Sequence, residues 1–181
     1  MPRAHLRVVS PDVLIASGGL AGTVVDVVIG PPVDEQDVQH ETLFEERPSW
    51  LIHENHPRVG ARLSKKRFCE ERHVDVHVAL GRGGRGHEAA EAAMEKLGLV
   101  RDVAVTVPTF TAAAWLASTT ELIAGVPRSL AEALRRILPV RIVPGPHPTF
   151  AIPIAMSWHL RTDVDPGARA FRDAVRRAYL W

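Results

Sequence analysis

Val103-Ala-Val-Thr-Val107-Pro108-Thr109-Phe110-Thr111-Ala-Ala-Ala-Trp-Leu-Ala117, followed shortly by Glu121-Leu-Ile-Ala-Gly125-Val126-Pro127, reads as one strand–helix–strand unit. A valine-rich run over 103–107 stops at a proline. A turn rich in hydroxyls then opens an apolar helix over 111–117, and a second apolar run over 121–126 ends at Pro127. Two strands joined by one helix lie parallel in a sheet, so this stretch predicts an α/β fold.

The same alternation extends in both directions. Toward the N-terminus, Leu6–Ser10 and Val24–Ile29 read as strands around a short helix over Asp12–Ala16. Leu43–His53 reads as an extended segment through Pro48, Ser64 as the cap of a helix reaching Glu71, and His73–Ala79 as a strand. Between His87 and Leu97, Ala90, Ala93, Met94 and Leu97 share one helical face, and Gly98 supplies the stop. Toward the C-terminus, Pro127 opens a helix whose buried stripe is Leu130, Leu134, Ile137 and Leu138, ended by Pro139. Val140–Val143 and Ala151–Trp158 follow as strands. Asp165-Pro166 opens a last helix with Phe171, Val175 and Ala178 on its apolar face. The expectation is a largely parallel sheet or sheets.

Composition narrows the function. At 181 residues and 46% hydrophobic, the chain can bury one sizeable domain or two small lobes. No apolar run nears the ~20 residues that cross a bilayer, the N-terminus lacks a secretory segment, and the single Cys69 forms no internal disulfide; a cytoplasmic protein is expected. Lys+Arg 22 against Asp+Glu 21 leaves a formal charge of +1, without the basic excess of a phosphate-binding surface.

Three stretches could carry chemistry. His73, Asp75 and His77 alternate on a strand and would share a face, a pattern able to bind zinc or iron. No ligand from another element can be read beside them, so no metal is expected. Gly81-Arg-Gly-Gly-Arg-Gly86 precedes a helix and could hold an anion, yet it matches neither the P-loop nor the dinucleotide fingerprint, and a surface loop is the better reading. Nor is there a nucleophile elbow or an activating partner for Cys69, and Glu45-Glu46 and Glu70-Glu71 read as solvated pairs. No enzyme and no cofactor are expected. The turn Val107-Pro108-Thr109-Phe110-Thr111 is more promising: a helix start has unpaired N–H groups for a carboxylate, and Phe110 offers an apolar wall. A plain N-cap explains the threonines equally well.

Taken as an ordered set, the segments resemble the effector-binding domain of LysR-type transcriptional regulators. The residues that carry the resemblance are Asp26-Val-Val-Ile-Gly30, Leu43-Phe-Glu-Glu-Arg47, His56-Pro57, Arg72-His-Val74, Gly98-Leu99, Val103–Pro108, Leu122–Arg128 and Ser157-Trp-His159. The resemblance implies the type 2 periplasmic-binding-protein fold: two Rossmann-like α/β lobes joined by two crossover segments near Leu43–Trp50 and Val140–Ile152. Lobe I would comprise 1–47 plus 145–181 and lobe II 48–144. It further implies a small organic effector, anionic or aromatic, in the cleft between lobes, touching His77, Pro108, Thr109, Phe110, Gly125 and Val126. A homo-oligomer is implied, with DNA reached only through a winged helix-turn-helix that this sequence does not show. The family's first strand and helix are also missing, so lobe I reads as truncated at its N-terminus. The other reading is a freestanding binding protein or enzyme that reuses the cleft, with His73 or His77 as acid/base or metal ligand.

Overall fold

A computed structural model describes residues 5–79, 84–147 and 150–179. In chain order its elements are α1 (Pro11–Ala16), β1 (Val28–Gly30), β2 (Val38–Glu46), β3 (Pro48–His53), α2 (Lys65–Glu70), β4 (Arg72–Val76), α3 (Gly84–Lys96) and β5 (Asp102–Val107). After these come α4 (Phe110–Thr119), β6 (Ile123–Pro127), α5 (Arg128–Leu134), β7 (Val140–Val143), β8 (Ile152–His159) and α6 (Pro166–Tyr179). Short 3-10 turns occupy Gly19–Ala21 and Leu160–Val164. The chain forms two compact units, Met1–Glu45 with Ile152–Trp181, and Glu46–Ala151. Among the described residues no helix is long and apolar enough to cross a membrane.

The smaller unit holds a three-stranded sheet in the order β1-β8-β2. β8 runs antiparallel to β1, with Val28 opposite Ser157 and Gly30 opposite Ala155. Met156, Trp158 and Val175 form its core, with Val27, Leu43 and Phe171 against them. The inward face of α6 carries a charge: Arg172, 3% exposed, lies 4.9 Å over the Trp158 ring. It donates to Thr162 Oγ1 at 2.9 Å and to Asp163 at 2.7 Å, so the buried guanidinium is paired. Ala178, expected inside, is exposed. Leu6–Ser10 is not a strand: it has no ladder partner among the described residues, and Val8 is 86% exposed. The strand expected over Val24–Ile29 shrinks to β1, which starts only where β8 lies alongside.

The larger unit is a five-stranded sheet in the order β5-β4-β6-β3-β7. It is mixed, with four strands in one direction as expected and one against them: β4 pairs parallel with β5 and β6, whereas β3 pairs antiparallel with β6 and β7. β3 follows β2 without a helix between them and enters against the others, which the reading of alternating elements did not register. Both faces are covered. Leu51, Val74, Val76, Ala124 and Val126 face α4 and α5, packing on Ala113, Ala114, Ala117 and Ala131. Trp50, Ile52 and Ile123 face the other way, against Phe68 of α2 and Met94 of α3. Strict alternation along β3 and β6 thus builds two cores from one sheet.

Local signals account for several ends. Ser64 caps α2 by accepting from the Arg67 amide at 3.2 Å. Gly98 stops the chain after α3 with φ +62°, a conformation that favours glycine. α5 ends at Leu134, so the expected stripe holds only in part: Leu134 and Leu138 touch the core, but Ile137 is 76% exposed.

Candidate functional site

Three parallel strands, β5, β4 and β6, end together on one side of the larger sheet. The chain leaves β4 toward α3, on the Trp50 face, but leaves the neighbouring β5 toward α4, on the opposite face. Adjacent strands whose following helices diverge in this way open a crevice beyond their carboxyl ends, the place where α/β sheets bind ligands.

His77 and Thr109 stand at that point. The His77 amide donates to Val107 O at 2.9 Å, so the residues after β4 run beside the end of β5, and Pro108 and Thr109 follow directly. Thr109 has extended backbone (φ −141°, ψ 148°), and its hydroxyl accepts from the Ala112 amide at 3.2 Å, which starts α4. It also lies 3.1 Å from the Thr111 hydroxyl. Pro108 and Thr109 are exposed, whereas Phe110 is half-buried with its ring against the core beneath α4. The structure therefore brings His77, Pro108, Thr109 and Phe110 to one edge of the unit.

Gly125 and Val126 sit differently. Val126 is 2% exposed within the core, and Gly125 lies under Trp50, where a β-carbon would come 3.2 Å from the ring. Pointing to opposite faces of β6, the two support the sheet and offer no open side chain.

Nor do the three strand residues His73, Asp75 and His77 act as one set. His73 is fully buried against Trp50 and Phe68, its Nε2 2.8 Å from Phe68 O. Burial pushes its imidazole down to about 4. Asp75 instead gathers groups that were not read from the sequence. His87 Nε2 lies 2.8 Å from Oδ1 and 3.1 Å from Oδ2, and Arg101 Nη2 donates to Oδ1 at 3.0 Å. His77 Nε2 lies 3.0 Å from Oδ2, the Val76 amide donates to Oδ1 at 3.0 Å, and Glu91 accepts from Arg101 at 2.5 Å. Burial works to raise the Asp75 pKa, but the hydrogen bond with His87 and the charge of Arg101 outweigh it and hold the carboxyl at about 2. One signal could have located these partners: an acid at an inward strand position needs counter-groups, and His87 lies in, and Arg101 just after, the helix that crosses that face. Of the glycine-rich segment, residues 81–83 lie outside the described residues, and Gly84 onward belongs to α3.

A parallel strand set whose following helices diverge is the frame on which α/β binding domains are built. The chain belongs to the LysR substrate binding domain family, which matches residues 2–180. It is similar to the HTH-type transcriptional activator NagR of Ralstonia sp, 29% identical over 169 residues, covering 92% of this chain and 54% of that protein. Its fold is that of the CcmR regulatory domain of Synechocystis PCC6803, solved in complex with 2-PG, at a TM-score of 0.77 and 11% identity, covering 97% of this chain and 83% of the other. It is also that of the effector-binding domain of QuiR, solved in complex with shikimate, at 0.65 and 18%, covering 85% and 71%. This is the type 2 periplasmic-binding-protein fold. The chain spans about half the length of NagR. Domains of this family are sensory parts of transcriptional regulators and not enzymes, which favours sensing over the freestanding catalytic reading.

Proposed function

We propose that the chain is the sensing part of a cytoplasmic, oligomeric LysR-type regulator whose DNA contacts are made by a winged helix-turn-helix outside residues 1–181. We further propose that its effector is a small organic acid held at the ends of β4 and β5. The observation that carries this placement is the adjacency of His77 to the Thr109 cap of α4, where the two following helices diverge. An effector carboxylate would take the first amides of α4, favoured by about 0.3–1 kcal/mol, and up to ~2 when partly buried. Phe110 would cover apolar area at ~25 cal/mol per Å². His77 would add a hydrogen bond at the rim, while Gly125 and Val126 shape the floor from behind. Shikimate, seen in QuiR, is itself a carboxylic acid, which supports this ligand class. Binding would bias the arrangement of the assembled regulator.

The test is calorimetric titration of the chain with a panel of aromatic and hydroxylated carboxylates, against their uncharged amides. Acids should bind and amides should not. Phe110→Ala, checked for fold, should weaken the best acid at least several-fold. Unchanged affinity would leave Thr109 as a structural cap and Phe110 as core.

A further inference from the structure

We infer that Asp75, His77 and His87 form a binding site for one divalent transition-metal ion of the zinc, cobalt or nickel class. Each residue offers one ligand atom, and the three lie within 4.8 Å of one another. The set spans two elements: Asp75 and His77 come from β4 and the residue just past it, and His87 from the first turns of α3. Two imidazoles and a carboxylate are a donor set suited to these ions, and three protein ligands leave positions open for water or another ligand.

The local geometry fits an ion. Ligand atoms bound at 2.0–2.2 Å around a common centre stand roughly 3–3.5 Å apart. Asp75 Oδ2 is already 3.0 Å from His77 Nε2 and 3.1 Å from His87 Nε2, and the two rings meet edge to face with centroids 5.2 Å apart. Both imidazoles thus converge on the Asp75 carboxylate, His77 on Oδ2 and His87 across both oxygens, 2.8 Å from Oδ1. Oδ1 also accepts from the Val76 amide and from Arg101, the latter balanced by Glu91. A ligating carboxylate fixed through its second oxygen is the usual outer-layer arrangement of metal sites. Arg101 would act as a positioning residue, with Glu91 offsetting its charge. The Asp75 side chain is 10% exposed, and the two histidines are 28% and 23% exposed, so the acid is fixed while the imidazoles remain reachable from solvent.

The inference stands apart from the effector reading, because it is tested with metal alone. Untagged protein is titrated with Co²⁺, followed by its visible bands, and with Zn²⁺ by calorimetry. One equivalent should bind. His87→Ala and His77→Ala, both at partly exposed positions and checked by circular dichroism, should each abolish uptake. His40→Ala, at an exposed site on β2, should leave uptake unchanged. Arg101→Gln should weaken binding roughly 10–100-fold. Absence of uptake by the wild type at tens of micromolar metal, or equal uptake by folded His87→Ala and His77→Ala proteins, overturns the site.

Discussion

Gly145 lies so close to Trp50 that a β-carbon built on it would overlap the indole nitrogen. Trp50 is 8% exposed, with Phe68 edge-on at 4.9 Å, so it has little room to yield. Gly145→Ala should therefore cost about 1–3 kcal/mol by overpacking. Gly125→Ala, whose β-carbon would stand 3.2 Å from the same ring, should cost less. Urea melts of both variants, with Trp50 fluorescence as the probe, check the order. Equal stabilities would mean that Trp50 repositions freely.

His73 makes stability depend on pH. Its folded pKa, about 4, lies below its ordinary 6.5 because burial disfavours the charged ring. Between those values the unfolded chain binds a proton that the folded chain does not, so stability falls as pH drops from 6.5 toward 4. At 1.36 kcal/mol per unit the full loss is on the order of 3 kcal/mol. Denaturant midpoints measured from pH 7 to 4 should show this slope, and His73→Gln should flatten it.

A second decline should follow at lower pH. Glu71 is held below the ordinary carboxylate range chiefly by the hydrogen bond from Arg58, against opposition from burial. Asp75 is likewise low, at about 2. Carboxylates of this kind stabilise above their unfolded pKa and lose that contribution as pH falls through the folded value. Glu71→Gln should remove the part of the acid-induced loss that begins near pH 4.5, the ordinary value for Glu71.

In the smaller unit, Arg172 both covers Trp158 and pairs with Asp163. Arg172→Met should retain much of the packing but leave Asp163, 41% exposed, without this partner. The exposed acid softens the loss, so a cost of about 1–3 kcal/mol is expected, below the 3–5 typical of fully buried pairs. Trp158 emission during thermal melting is the readout. Arg172→Lys should not restore stability, since it lacks the planar fork.

With a formal charge of +1, the chain should bind duplex DNA only weakly. Fluorescence anisotropy with a labelled duplex at two salt concentrations tests this. Submicromolar, salt-sensitive binding would contradict it.

Where a residue's role depends on its own neighbours in sequence, the sequence reading succeeded. The Ser64 and Thr109 caps, the stop at Gly98 and the strand–helix–strand unit around Pro108 are all local events. It failed where pairing over distance decides. Leu6–Ser10 has strand-forming residues but no described strand to pair with, and β3 joins the sheet antiparallel between β6 and β7 through contacts that no periodicity encodes. Likewise the polar alternation of His73, Asp75 and His77 is readable, but what each one meets is not. Phe68 O takes His73, while α3 brings His87 to Asp75 from twelve positions away.

The division of the chain also orders events in time. Glu46–Ala151 is one unbroken stretch, whereas the smaller unit must join Met1–Glu45 to Ile152–Trp181. Its hydrogen bond from the Val33 amide to Ser157 Oγ spans 124 positions. On the ribosome, at roughly 5–20 residues per second, β1 would wait on the order of ten seconds for β8. The larger unit can close in that interval, while the early strand has an open edge that a chaperone could guard. A nascent chain stalled before β8 should thus resist protease across its middle and yield at its beginning.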